Sequence, residues 1–138
     1  MPEFDAKLLA AIIEQSGNAT IFANTDGVVQ IWNEAAESLF GYSAEEASRT
    51  GMDLIIPERL RAPHWAGFKR AIETGKTRLN GNPTLTRATH KSGARLYVEM
   101  TFAVVRGHDG TVLGAVAVAR DVTERQEKAR AQRASPAT

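Results

Sequence analysis

Residues 28–46, VVQIWNEAAESLFGYSAEE, constrain the fold more than any other stretch of this chain. Val29 and Ile31 flank polar Gln30 in the alternation of a half-buried strand. Ala35, Leu39 and Phe40 then share one face of a short helix, which Gly41 ends. Ser43 followed by Glu46 has the spacing of a reciprocal capping box and opens a second helix. Strand, short helix, glycine stop and capped helix in under twenty residues is a dense and unusual order.

The surrounding patterns extend it. Phe4, Leu8, Leu9, Ile12 and Ile13 follow helical spacing over 4–16, and Gly17 stops that helix. Apolar runs at 19–24 and 28–33 flank Asp26-Gly27, a short-hairpin signal. Helices are expected at 34–40, 44–49 and 58–74, the last ending at Gly75. From Thr77 the period becomes two: a short strand at 77–80, a second at 85–90, then a Lys91-Ser92-Gly93 turn. A strand over 95–105 alternates through Leu96, Val98, Met100, Phe102 and Val104, and a last strand covers 111–120 after His108-Asp109-Gly110. Paired runs joined by tight turns imply an α+β fold, an antiparallel sheet with helices on one face. Thr123 with Gln126 reads as another capping box, but the residues after it are polar on all sides and predict a weak, frayed helix. Residues 135–138 are expected to be disordered.

With 138 residues the chain fits one domain, which buries roughly two-thirds of the surface of its unfolded chain. It has no cysteine, so disulfides, thiolate metal sites and thiol nucleophiles are excluded. No apolar run reaches the roughly twenty residues of a membrane span and no signal peptide opens the chain, so a cytoplasmic location without membrane attachment is expected. The net charge of +1 hides an asymmetry. Residues 1–50 carry two Lys/Arg against eight Asp/Glu, and residues 51–106 carry ten against four. The basic middle either faces an anionic ligand or pairs with the acidic first third across the fold, the second being the expectation. Nucleic-acid binding is disfavoured, because the basic residues form no run and the whole is near neutral. No Ser/His/Asp order, phosphate-cradling glycine loop or metal-spaced cluster indicates an enzyme.

The asparagine after the second strand, Asn33, and the A-A-E-x-L-F-G-Y run at 35–42 closely resemble the entry to a PAS domain, a sensory module of signalling proteins. Asp121-Val122-Thr123-Glu124 resembles the D-x-T-E junction through which PAS domains pass their signal to a following helix. The likeness covers about residues 16–124 and implies a five-stranded antiparallel sheet in the order 2-1-5-4-3. It divides the chain into an N-terminal amphipathic helix (1–16), a PAS domain (17–122) and a polar C-terminal helix or tail (123–138). A downstream signalling protein or effector domain is the implied partner. The Phe4/Leu8/Ile12 stripe is expected to pack in a homodimer, the alternative being that it covers the outer sheet face of its own chain.

A further likeness concerns a cofactor. Pro57-Glu58, Arg61 and His64, followed by Thr74-Gly75, resemble the haem-binding PAS domains of the FixL and Dos sensors. The resemblance makes His64 the proximal iron ligand of haem b and sets Arg70 near the propionates, with Arg78 adding a second charge; both arginines read equally as solvated surface residues. It lines the distal side with Leu79, Met100 and Phe102. Thr84 stands where that family has an arginine donating to bound oxygen, and Asn82 where Dos has a methionine, so oxygen retention is expected to be weakened. Met100 on residue pattern alone is core. His90 and His108 fall in turns and are weaker candidates. Cysteine-dependent flavin or thioester photochemistry is excluded, whereas non-covalent flavin near Trp32 and Asn33 stays open. The alternative to haem is a PAS module that binds another small molecule or none and acts through dimerisation and protein contacts.

Overall fold

The computed structural model describes residues 5–77 and 81–134. Its first hairpin is built on one side chain. Between β1 (Ala19–Asn24) and β2 (Val29–Trp32), Asn24 Oδ1 accepts from the Asp26 and Val28 N–H groups at 3.0 Å each. Gly27 closes the turn at φ +82°. The remaining strands are β3 (Thr84–Thr89), β4 (Arg95–Arg106) and β5 (Val112–Asp121). All pairings are antiparallel and the order is β2-β1-β5-β4-β3, the topology expected from the sequence.

Register sets the inner face. Thr84 lies opposite Met100, which lies opposite Ala119, and Phe102 lies opposite Ala117. Of these, Met100, Ala117 and Ala119 join Ile21, Ala88, Leu96 and Val98 in the sheet side of the core, with Phe102 packed against it. Helices α2 (Glu34–Phe40) and α3 (Ala44–Thr50) bring Ala36, Phe40 and Ala47 onto it. The Ser43/Glu46 capping box forms as expected, with Glu46 N–H donating to Ser43 Oγ at 3.1 Å and Ser43 N–H to Glu46 Oε1 at 2.9 Å. Gly41, at φ +82°, ends α2 where only glycine fits, because a Cβ there would sit 2.6 Å from the His90 ring. A 3-10 turn at Met52–Leu54, absent from the sequence reading, buries Met52 and leads to α4 (Glu58–Thr74).

Some expectations are corrected. Thr77 is not in a strand, and residues 78–80, including Arg78 and Leu79, lie outside the described residues, as do Phe4 and 135–138. Thr123 does not form a capping box with Gln126. Its hydroxyl accepts the Tyr97 N–H at 2.9 Å and donates to the Tyr97 carbonyl at 3.3 Å, because β4 offers a backbone pair at this point. The C-terminal segment, expected to be a weak or frayed helix on its own, forms α5 (Thr123–Ala134) in the folded chain. Tertiary contacts replace the missing apolar seam: Arg130 donates to the Tyr97 hydroxyl and lies over its ring, and Arg125 approaches Glu99 at 3.5 Å.

The N-terminal helix α1 (Ala6–Gln15) lies beside α2 and does not cover the outer sheet face. Leu8, Leu9 and Ile12 are 49, 46 and 57% exposed, so the alternative of intramolecular capping is not realised.

Candidate ligand site between the long helix and the sheet

Two anchors place α4. At its start, the Arg61 guanidinium donates to the carbonyls of Ile56 and Asp53 at 3.0 and 3.2 Å. One turn on, Trp65 Nε1 donates to Asp53 Oδ1 at 2.8 Å, and its ring lies so close over Gly27 that a Cβ there would be 2.9 Å away. The hairpin turn and the 3-10 turn therefore both grip one indole.

From Trp65 the inward stripe of α4 follows at helical spacing: Leu60, His64, Phe68 and Ile72 are half-buried. No residue of this seventeen-residue helix is fully buried, although its stripe is apolar and aromatic. His64 meets the edge of Trp65 at 4.8 Å between centroids, and Trp65 meets Phe68 at 5.4 Å. Burial lowers the His64 pKa from its ordinary value, and the Asp53 charge only partly opposes this. Burial thus favours the neutral imidazole, the form that can offer a ring nitrogen to a metal.

The sheet supplies the opposing layer. Met100 is buried in the core, Phe102 is half-buried and packed against it, and Thr84 is half-buried opposite Met100. Arg70 is exposed. His90 Nδ1 accepts from the Ser92 N–H at 3.0 Å within its turn, and His108 is exposed on a loop, so neither belongs to this layer. Two of the clefts can be placed against these layers, the first of them lined by part of the α4 stripe itself. One of about 320 Å³ lies between Thr25-Asp26 and Trp65, Phe68 and Ile72. Another of about 620 Å³ lies between the end of α1, the start of α2 and the end of β5. Neither includes His64, Thr84, Met100 or Phe102.

Trp32 and Asn33 are structural. Trp32 is buried against Phe40 at 5.5 Å and donates its Nε1–H to the Tyr42 carbonyl at 2.9 Å. Asn33 is completely buried with every side-chain role filled. Oδ1 accepts from the Thr20 and Ala36 N–H groups at 2.8 and 3.0 Å, and Nδ2 donates to the Ile13 and Asn18 carbonyls at 2.8 and 3.1 Å. One amide therefore ties β1, the start of α2 and the end of α1 together. The signal for it was present in the sequence, an asparagine placed immediately before a helix.

Comparisons with known proteins agree with this architecture. The family model described as the PAS fold matches residues 7–122. The chain is 29% identical over 93 residues to the oxygen sensor protein DosP of Escherichia coli K12, covering 67% of this chain and 12% of that protein. It is 27% identical over 120 residues to the sensor protein FixL of Bradyrhizobium diazoefficiens, covering 86% of this chain and 23% of FixL. It thus spans less than a quarter of either relative. The crystal structure of a PAS domain from Colwellia psychrerythraea superposes with a TM-score of 0.72 at 23% identity, covering 86% of this chain and 98% of that one. An RNA-binding light-oxygen-voltage receptor follows at 0.67 and 22% identity, covering 92% and 38%.

Proposed function

This chain belongs to the PAS family, and from that premise we propose that it is the cytoplasmic sensory domain of a signalling protein and binds haem b between α4 and the inner sheet face, with His64 as the iron ligand. The observation that carries this reading is the apolar stripe of α4, which includes half-buried His64 yet has no fully buried residue. A flat apolar cofactor would cover that stripe. The resemblance of the Pro57–Glu58, Arg61 and His64 pattern to haem-binding PAS domains and the likeness to an oxygen sensor support it.

The donor chemistry of the described residues fits such a group: His64 would hold the metal, exposed Arg70 would meet the propionates, and Met100 and Phe102 would line the opposite side, while the parts expected of Arg78 and Leu79 fall outside the described residues. Haem would supply gas or redox sensitivity. Thr84 offers only a hydroxyl where a guanidinium would stabilise polarised oxygen, so carbon monoxide would be held in preference to oxygen. The test is an absorption spectrum of the purified protein before and after adding haemin. A stoichiometric Soret band supports the reading, and none at all refutes it.

A second reading has its own observation. Met100 and Phe102 already pack in the core and neither cleft reaches His64, as suits a PAS module with another ligand, such as non-covalent flavin, or with none. In both readings the exposed Leu8/Ile12 stripe forms a homodimer, seen as a doubled mass in light scattering, and α5 carries the signal to a downstream partner.

A further inference from the structure

The basic middle of the chain does not pair with the acidic first third as expected. Among the described residues a single ion pair joins them, Lys91 with Glu46 at 2.8 Å. Several unpaired arginines collect instead at one place on the outer sheet face, where α5 leaves the domain.

Arg87 lies opposite Tyr97 in the β3–β4 ladder, and Arg95 lies two residues before Tyr97 on the same face. Arg130 comes down from α5 onto the same ring. The Arg87 and Arg130 guanidinium carbons are 5.9 and 5.5 Å from the Tyr97 centroid. Cation–π attraction holds both cations, but it does not neutralise either of them. Among the described residues none of these three arginines forms an ion pair. Glu99, two residues beyond Tyr97 on the same face of β4, is occupied by Arg120 at 3.1 Å and Arg125 at 3.5 Å. Arg87 Nε is buried without any hydrogen-bond partner, a position that costs free energy unless an acceptor arrives. Loss of water, then the charges of Arg95 and Arg59, hold the Arg87 pKa below its ordinary value, and Arg130 adds to them.

We propose that Arg87, Arg95 and Arg130 form a receptor for a small polyvalent oxyanion, phosphate or a polycarboxylate, whose binding locks α5 onto β4. Such an anion would give Arg87 Nε its acceptor and cancel the repulsion that opposes docking of Arg130. Tyr97 makes the position consequential, because its backbone already holds Thr123 and Val122 at the start of α5. The site lies on the face opposite the interior ligand layer. It is therefore a second input to the outgoing helix, independent of what fills the domain.

The test uses the full chain and amide hydrogen exchange over residues 123–134, with inorganic phosphate and with citrate as probes. Sodium chloride at matched ionic strength is the control. At an anion concentration ten times its Kd, exchange should slow by roughly tenfold if opening requires release of the anion. Arg95→Gln, an exposed residue that is not stacked on Tyr97, should abolish this response, and Lys69→Gln on α4 should leave it intact. Equal slowing by chloride, a response that survives Arg95→Gln, or no response to either probe would overturn the proposal.

Discussion

At the scale of single residues, the fold depends most on a side chain whose sequence signal was modest. Asn33 satisfies two backbone donors and two backbone acceptors from inside the protein. Asn33→Ala removes the α2 cap and leaves those groups buried without partners, so it should destabilise by about 2–3 kcal/mol. A urea midpoint close to wild type would contradict this role. His64 makes a pH-dependent contribution whose sign follows from burial. Its folded pKa is lowered, so below the ordinary 6.5 the unfolded chain binds more protons than the folded one. Stability should be full above that value and fall as the pH drops through it toward the folded pKa. His64→Gln should flatten that part of the urea-midpoint profile between about pH 7.5 and 5. Identical slopes would show that burial of the imidazole is not what the profile reports.

Elements were legible where periodicity, a cap and a glycine stop coincided. α2, α3 and α4 begin and end within a residue of expectation, because Ser43, Gly41 and Gly75 each act through local geometry. The 3-10 turn at Met52–Leu54 was not legible, since its three residues carry no period and its cap is Gly51 without a side-chain bond. α5, expected to be weak or frayed on its own, is a different case. Its stability comes from Tyr97 and Glu99, more than twenty residues earlier, and no local pattern records such a contact. α1 is the opposite case: its stripe was evident, and the structure leaves Leu8, Leu9 and Ile12 exposed. Helices this short are marginal alone, so the proposed homodimer should bury these side chains. Leu8→Glu should convert the dimer to a monomer in light scattering, whereas an unchanged mass would exclude α1 from the interface.

For the whole molecule, strand order followed from the family likeness and the inward register of Met100 and Phe102 from the alternation, whereas Thr84 joins β3 one residue before the strand expected there. The occupant of the interior did not, because packing and ligand lining use the same apolar alphabet. Met100 shows the ambiguity: the same inward position suits a core methionine and the wall of a cofactor pocket. The charge asymmetry was also visible, but its resolution was not, since which arginines meet depends on the β3–β4 register and on α5. The central claim is that His64 ligates a haem iron, and the Soret band of haemin-loaded His64→Ala beside wild type tests it most directly. The account predicts that wild type binds one haem per chain and that the variant loses or shifts the band. A variant with the wild-type spectrum and haem stoichiometry would contradict it.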